Sequence, residues 1–254
     1  MNVYITGASS GIGAALARHY ALAGANLGLY ARRQAQLDQL VAELSGGGRV
    51  IAQAGDVRDA KALADAARGF IDRFGAPDIV IANAGISHGT LTEHADDALA
   101  FRAILDTNVL GMVHTFAPFL APMRAQGRGS LVGIASVAGF RGLPGAGAYS
   151  ASKAAAITYL ESLRVELAGS GVRVVTICPG YVATPMTAKN PYRMPFMIDA
   201  DRGARLIAQA ILRRRSFYVF PWPMAIVGRV LRMLPRPLYD ILFRKAPRKP
   251  RRPA

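Results

Sequence analysis

Short apolar runs alternate with longer helical segments along most of this chain, and that alternation sharply limits the folds it can adopt. Several runs are apolar without polar alternation, which is typical of strands covered on both faces. Strands and helices that follow one another in this way predict an α/β fold with a doubly wound parallel sheet of about seven strands and helices on both faces. The predicted strands are residues 2–5, 25–30, 49–53, 78–82, 130–135, 172–178 and 216–220.

The predicted helices are residues 13–23, 34–45, 60–74, 96–126, 150–169 and 200–214. Residues 181–199 are rich in Pro, Met and Tyr without clean periodicity, so we expect a long mobile loop there. The length of 254 residues favours one main domain. We predict that it covers residues 1–220, followed by an amphipathic helical extension, 221–243, and a basic disordered tail, 244–254.

The net charge of +15 is concentrated at one end of the chain. From residue 213 onward there are 12 Lys/Arg and 1 Asp, so the first 212 residues carry 19 against 15 acidic residues. This distribution makes nucleic-acid binding by the whole protein unlikely. The single cysteine excludes an internal disulfide, and we predict no metal site. Without a secretory signal or an uninterrupted apolar stretch of about 18 residues, we expect a cytoplasmic protein.

A glycine-rich turn follows the first strand, in Thr6-Gly7-Ala8-Ser9-Ser10-Gly11-Ile12-Gly13. Missing side chains let a pyrophosphate approach the backbone, and the N-terminus of the next helix offers free N–H groups and a positive dipole end. The spacing G-x-x-x-G-x-G differs from the G-x-G-x-x-G pattern of longer Rossmann enzymes. A plain strand-to-helix turn is the alternative. The position of the glycine motif between the first strand and the first helix favours a Rossmann-type dinucleotide site.

The second strand ends in Tyr30-Ala31-Arg32-Arg33, where dinucleotide folds meet the adenosine ribose. Arginine there suits a 2′-phosphate, so the sequence favours NADP(H), with Arg32 ahead of Arg33. The alternative is a solvated helix start, although arginine is unfavourable at a helix N-terminus. Asp56 after the third strand either accepts from the adenine amine or caps the following helix.

Tyr149 and Lys153 are spaced to share one face of a helix. An ammonium beside a phenol lowers the phenol pKa, so we expect a general acid/base here. Ser136 ends the fifth predicted strand, where its hydroxyl can bond a substrate carbonyl oxygen. Asn108 lies in the middle of a long predicted helix, as a functional group or as a satisfied buried amide.

Together these motifs resemble the short-chain dehydrogenase/reductase family, in order and spacing, across about the first 190 residues. The resemblance implies that Tyr149 donates the proton, Lys153 supports it, Ser136 polarises the carbonyl and Asn108 holds a water of the proton relay. The family's Asn-Asn-Ala-Gly appears here as Ala82-Asn83-Ala84-Gly85. The implied cofactor contacts are Gly7, Ser9, Ser10, Gly11, Ile12, Gly13, Arg32, Arg33, Asp56, Val57, Asn83, Ala84, Gly85, Tyr149, Lys153, Pro179, Gly180, Val182 and Thr184.

The function expected from these residues is NADP(H)-dependent hydride transfer between a nicotinamide and a carbonyl or secondary alcohol. Met186, Tyr192 and Phe196 make an apolar ketone or aldehyde a plausible substrate. A non-catalytic dinucleotide-binding regulator or scaffold on the same fold is the alternative. By resemblance we expect a homodimer or homotetramer.

The C-terminal extension shows apolar residues at helical spacing from Met224 to Leu234, with arginines on another face. This pattern suits peripheral contact of residues 221–254 with an anionic membrane at its inner face. A cover over the substrate cleft and a subunit contact are the alternatives, and nucleic-acid binding by the tail is a weaker one.

Overall fold

The computed structural model describes residues 1–44 and 49–251 of the protein. Its centre is a seven-stranded sheet in the order β3-β2-β1-β4-β5-β6-β7, with every neighbouring pair parallel. This confirms the predicted doubly wound α/β fold. The strands are β1 Asn2–Thr6, β2 Asn26–Ala31, β3 Val50–Ala54, β4 Ile79–Ala82, β5 Gly129–Ile134, β6 Val172–Pro179 and β7 Phe217–Phe220.

Helices cover both faces of the sheet. They are α1 Gly11–Leu22, α2 Gln34–Leu44, α3 Ala60–Phe74, α4 Asp97–Leu105, α5 Gly111–Ala125, α6 Gly147–Glu166, α7 Ala200–Leu212, α8 Trp222–Met233 and α9 Arg236–Phe243. The predicted end of the second helix at Ser45 and the last three residues of the predicted tail lie outside the described residues.

Alternate residues of the strands build two hydrophobic cores, one on each face. In β1, Val3 and Ile5 pack with α1, α2 and α7, whereas Tyr4 points to the other face and packs with α3, α5 and α6. Tyr4 meets the rings of Phe70 and Phe119 there, at centroid distances of 5.4 and 4.7 Å. Because both faces are covered, the strands read as continuous apolar runs. Because all the strands are parallel, their carboxyl ends lie at one edge of the sheet, where ligands bind in such sheets. The strands that lead into the site are β1, β2, β4, β5 and β6.

The helix predicted over residues 96–126 contains a break in its hydrogen-bonding pattern. A π-helical turn, Asp106–Leu110, joins α4 to α5 and holds Asn108. Such single wide turns inside α-helices occur frequently at functional sites. The combined rod, Asp97–Ala125, is the one described helix long and apolar enough to cross a membrane by length and composition. Its apolar character has another cause, because Phe116, Phe119 and Met123 lie in the core.

Residues 181–199, the cleft loop, are tied together at both ends rather than loosely extended. Ala183 N–H donates to the Ile198 carbonyl at 2.8 Å, and Ile198 N–H donates to the Tyr181 carbonyl at 3.1 Å. Between these bonds, Thr187 closes a turn by donating its hydroxyl to the Val182 carbonyl at 2.7 Å. The sequence suggested a long mobile loop because the paired backbone groups are about 15 residues apart in the chain. Such pairings leave no periodic pattern in the sequence.

The C-terminal extension packs beside the loop that follows β5. Gly228 of α8 lies so close to Phe140 that an added Cβ would stand 2.4 Å from the ring. Tyr239 of α9 donates its hydroxyl to the Gly142 carbonyl, and the Arg141 guanidinium lies 4.5 Å from the Tyr239 ring centroid. Beyond α9, residues 244–251 cross back over the carboxyl edge of the sheet, where the sequence led us to expect disorder. We call residues 244–251 the C-terminal strap.

Candidate active site

The turn between β1 and α1 is packed so closely against neighbouring backbone that two of its glycines have no space for a side chain. A Cβ on Gly13 would lie 2.3 Å from the Gly7 carbonyl oxygen, and one on Gly7 would lie 2.7 Å from Ala84 Cα. Gly7 also has φ +67°, a conformation that favours glycine. The Ser10 side chain does not cap α1, so it leaves the helix N-terminus available. This cradle fits the pyrophosphate of a dinucleotide.

Both arginines after β2 lie at the adenosine side of this cradle, but Arg33 reaches the turn itself. Its guanidinium donates to Ser9 Oγ at 3.0 Å and to Ser10 Oγ at 2.7 Å. Arg32 is exposed as well, and its guanidinium stands 3.9 Å from the Asp56 carboxylate. The sequence favoured Arg32 ahead of Arg33; in the structure Arg33 contacts the glycine turn and Arg32 stands beside Asp56.

Asp56 does not cap the following helix, since Asp59 does so by accepting from Ala62 N–H at 2.9 Å. The Asp56 carboxylate instead accepts from the Arg58 backbone N–H at 3.0 Å and from its guanidinium at 2.7 Å. Those bonds outweigh partial burial and hold the pKa of Asp56 below its usual range. Val57, next to it, is buried.

Asn83 and Gly85 connect the cradle to the catalytic side of the site. The Asn83 side-chain amide donates to the carbonyls of Thr6 and Gly7 at 3.1 and 3.2 Å, so it braces the turn after β1. Gly85 faces the opposite direction, where an added Cβ would lie 3.2 Å from Asn108 Oδ1 and 3.7 Å from Lys153 Nζ. The strand β4 therefore joins both halves of the site.

The Asn108 side chain is buried and fully engaged. Its Oδ1 accepts from Ile86 N–H at 2.8 Å, while its Nδ2 donates to the Ile86 carbonyl at 3.0 Å and to Ser152 Oγ at 2.9 Å. It therefore ties the π-helical turn to the loop after β4 and to α6. Ser152 was not among the predicted site residues, because a serine within a helix gives no sequence signal of such a contact.

Lys153 projects from α6 toward the end of β5. It is 5% exposed, and its ammonium donates to the Ile134 carbonyl at 2.7 Å. Its Nζ lies 5.8 Å from the centroid of the Tyr149 ring, as the helical spacing predicts. Burial lowers the pKa of Lys153 to about 8.

The pKa of Tyr149 moves in the direction opposite to the one expected from the sequence. Burial raises it, and a hydrogen bond with the Ser136 hydroxyl only partly opposes that change. The same burial disfavours the Lys153 ammonium, which weakens the attraction that was expected to stabilise a phenolate. Ser136 lies two residues beyond the end of β5, close to its predicted place, and its hydroxyl also accepts from Ala138 N–H at 3.1 Å. Tyr149 and Ser136 thus lie together.

The cleft loop lies over both halves of the site. Thr184 stands over the glycine turn, so that a Cβ on Gly11 would lie 2.9 Å from its methyl group. Val182 belongs to the hydrophobic core against which Ile12 also packs. Tyr192 lies near Tyr149, and burial followed by the charges of Tyr181 and Tyr149 raises its pKa to about 12. Pro179 and Gly180 lead from β6 into the loop, and Gly180 N–H donates to the Phe220 carbonyl at 2.7 Å.

The C-terminal strap supplies site residues that sequence reasoning missed. Lys249 donates from Nζ to Ser87 Oγ at 2.7 Å, and the same atom lies 5.5 Å from the Tyr149 ring centroid. Arg251 donates to both carboxylate oxygens of Asp97, at 2.8 and 3.1 Å. These partners are more than 150 residues apart in sequence, so no local pattern could reveal them. Within residues 1–44 and 49–251, no cluster of potential metal ligands occurs.

The comparisons with known proteins agree with this geometry. The short chain dehydrogenase family model matches residues 1–194. An uncharacterized oxidoreductase of Myxococcus xanthus is 40% identical over 242 residues, which cover 95% of each chain. An 11-beta-hydroxysteroid dehydrogenase 1A of Arabidopsis thaliana is 38% identical over 229 residues, covering 88% of this chain and 61% of the relative.

Two solved structures extend the likeness to cofactor complexes. A short-chain dehydrogenase/reductase from Burkholderia phymatum in complex with NAD has a TM-score of 0.83 and 26% identity, covering 100% of this chain and 96% of that one. An alcohol dehydrogenase from Thermococcus sibiricus complexed with 5-hydroxy-NADP has a TM-score of 0.78 and 28% identity, covering 86% and 95%. The chain therefore belongs to the short-chain dehydrogenase/reductase family, oxidoreductases that bind a nicotinamide dinucleotide.

Proposed function

We propose that this protein is an NADP(H)-dependent reductase that converts an apolar ketone or aldehyde to an alcohol, with Asn108, Ser136, Tyr149 and Lys153 as its catalytic residues. The observation that carries the proposal is the placement of the Tyr149 phenol beside the Ser136 hydroxyl, with Lys153 one helical turn away. The nicotinamide, when bound, would supply the hydride. Every other requirement, including the proton, falls on residues of this chain.

In this mechanism, Ser136 donates a hydrogen bond to the substrate carbonyl oxygen and Tyr149 protonates the same oxygen. The raised pKa of Tyr149 keeps its phenol protonated at neutral pH, which suits a general acid in the reductive direction. Lys153 lies close enough to stabilise the phenolate that remains after the proton leaves. Asn108 holds the adjoining backbone in place through its bonds with Ile86 and Ser152, and the family resemblance assigns it a water of the proton relay.

The preference for NADP(H) rests on the two guanidinium groups at the end of β2. Arg33 lies on the serines of the glycine turn and Arg32 stands beside Asp56. Planar guanidinium groups match a phosphate in both charge and geometry. Asp56, already bonded to Arg58, has less capacity to accept from a ribose hydroxyl.

The substrate preference for an apolar body rests on the cleft loop. Phe196 and Met197 of this loop are exposed, while Tyr192 lies near Tyr149. Apolar and aromatic walls with a few polar groups are usual for small-molecule sites.

The direct test of catalysis is Tyr149→Phe, which removes only the transferable proton. We expect turnover of NADPH with a ketone and aldehyde panel to fall by about 10²–10⁴-fold, with NADPH binding nearly unchanged. Tyr159→Phe, on the same helix, is the matched control. Near-normal turnover in the Tyr149 variant would overturn the assignment, and NADPH binding without turnover of any panel member by the wild type would favour a dinucleotide-binding scaffold instead.

We further propose a cytoplasmic homodimer or homotetramer that makes peripheral contact with an anionic membrane. The membrane contact is supported by an exposed apolar stripe on α8. Trp222, Ile226, Val230 and Met233 follow one another at helical spacing and are 74, 51, 55 and 84% exposed. Arg229, Arg232 and Arg236 are exposed beside it. An apolar stripe next to exposed arginines is the arrangement of an in-plane membrane helix.

A further inference from the structure

The C-terminal strap is held across the site by contacts at several points. Gly89 N–H donates to the Pro250 carbonyl at 2.9 Å, and an added Cβ on Gly145 would lie 2.8 Å from Arg248 Cβ. Gly89 follows the loop after β4, whereas Gly145 precedes α6, which carries Tyr149. The strap therefore bridges the two segments that border the catalytic tyrosine.

An ion pair anchors the end of the strap. The Arg251 guanidinium bonds both carboxylate oxygens of Asp97, which is 3% exposed and also accepts from Leu91 N–H at 2.7 Å. A bidentate pair of this kind fixes orientation as well as distance. It positions Lys249, two residues earlier, with its ammonium toward Ser87 and Tyr149.

Lys249 differs from Arg251 because its charge has no acidic partner. Among residues 1–44 and 49–251, no carboxylate lies within ion-pair distance of its Nζ, and the bond to Ser87 Oγ is its hydrogen bond in the site. Burial lowers the pKa of Lys249 to about 8. A partly buried ammonium without a counter-charge is stabilised when an anion binds beside it.

We propose that Lys249 is a specificity-determining residue that binds a carboxylate of the substrate, so that this enzyme selects ketones or aldehydes with an apolar body and an anionic group near the carbonyl. The proposal rests on the proposed reductase function and adds the charge of its substrate. The cleft loop contacts the apolar body from one side, and the strap contacts the carboxylate from the other. Arg251 acts through Lys249 as a positioning residue.

The test compares acids with their neutral esters, using benzoylformate, 3-benzoylpropionate and the methyl ester of each as substrates with NADPH. Lys249→Met keeps the apolar stem and removes the charge. We expect kcat/KM for the preferred acid to fall by about 10–100-fold, mainly through KM, because hydrogen bonds to charged groups contribute about 1.5–3 kcal/mol. The esters should change little. Lys249→Arg should retain most of the preference for the acid.

Lys245→Met is the matched control, since it removes an exposed cation of the same strap. Arg251→Met should reproduce the loss of acid preference with Lys249 intact. If Lys249→Met lowers kcat/KM equally for acids and esters, or leaves kcat/KM for the acids unchanged, the role of Lys249 is overturned. Reduction of the esters by the wild type and by Lys249→Met would still support the reductase function. Failure of the Lys249 proposal can therefore be distinguished from failure of the reductase proposal.

A binding measurement decides the question without turnover. Titration calorimetry with 4-phenylbutyrate and with 4-phenylbutyramide should show tighter binding of the carboxylate to the wild type and no such difference for Lys249→Met. Equal affinity of the wild type for acid and amide, or a preference that Lys249→Met retains, would contradict the proposal.

Discussion

Two lysines approach Tyr149, and each is held by a neutral oxygen rather than by a carboxylate. Lys153 bonds the Ile134 carbonyl and Lys249 bonds the Ser87 hydroxyl, both at 2.7 Å. Burial lowers the pKa of each to about 8. Their charges are therefore easily lost as the pH rises above 8 and readily stabilised by a nearby anion, whether a tyrosinate or a substrate carboxylate.

The arginines at the end of β2 give a prediction at the same scale. Arg33→Met should weaken NADPH binding by about 10–100-fold, the effect of losing charge-assisted hydrogen bonds of about 1.5–3 kcal/mol. NADH binding should change less, because NADH has no 2′-phosphate. Arg32→Met should have a smaller effect, since that guanidinium does not contact the glycine turn and stands 3.9 Å from Asp56. Fluorescence titration of both cofactors measures these changes.

Arg18→Met controls for a general change of surface charge, because Arg18 pairs with Glu43 on the outer side of α1 and α2. If the Arg33 variant loses NADPH and NADH affinity equally, the arginine supports the turn rather than the phosphate. A wild-type preference for NADH would contradict the NADP(H) assignment altogether.

Among the secondary-structure elements, the rod formed by α4, the π-helical turn and α5 carries the clearest link between fold and site. The wide turn places Asn108 where it pairs with both backbone groups of Ile86 and with Ser152. The backbone groups of Ile86 and the Ser152 hydroxyl are buried or partly buried. The Asn108 side-chain amide therefore supplies the hydrogen bonds that water would otherwise make. The turn is thereby stabilised by tertiary contacts.

Asn108→Ala should therefore reduce the free energy of unfolding as well as activity. Each buried polar group left without a partner costs about 1–3 kcal/mol, and each kcal/mol corresponds to about 2–4 °C in Tm for a chain of this size. Thermal denaturation followed by circular dichroism measures the loss. Ser152→Ala, which removes one of the three bonds, should lower Tm by less. An unchanged Tm in Asn108→Ala would show that the amide is not needed to hold the turn.

Within residues 1–44 and 49–251, exposed apolar side chains are frequent at the scale of the whole C-terminal extension. Besides the α8 stripe, Leu238, Ile241 and Leu242 of α9 are exposed. Clustered exposed apolar side chains are uncommon on a surface that contacts only water. Of the alternatives open from the sequence, cleft cover fits the strap and membrane contact fits α8 and α9.

Co-sedimentation with vesicles tests the membrane contact in the full chain. We expect binding to vesicles of phosphatidylcholine with phosphatidylglycerol, weakened by salt, and little binding to phosphatidylcholine alone. Replacing Trp222, Ile226 and Val230 by serine should abolish it. Serine at Leu22 and Leu212, which are exposed apolar residues outside the extension, is the control. No pelleting of the wild type at low salt would contradict the membrane role, and a concentration-dependent change in mass that the serines abolish would assign the surface to a subunit contact.

The sequence by itself determined the strands, most helix bounds, the glycine turn and the Tyr149–Lys153 pair. Each depends on residues within a few positions of one another, where periodicity and glycine placement directly reflect the backbone. The doubly wound parallel arrangement also followed, because strands joined by helical crossovers allow few topologies, whereas the strand order came from the structure. Recognition of the family and of a dinucleotide cofactor came from the same local motifs.

Only the tertiary structure decided the features that depend on distant contacts or on burial. Lys249 meets Ser87 across 162 residues, and Arg251 meets Asp97 across 154. The rise in the Tyr149 pKa likewise comes from partial burial by the surrounding elements, whereas the sequence showed only a neighbouring lysine. The composition of a basic, proline-rich tail does not show whether the tail is free or packed against the protein. It is docked here because the loop after β4 offers it backbone groups and α4 offers it a buried carboxylate.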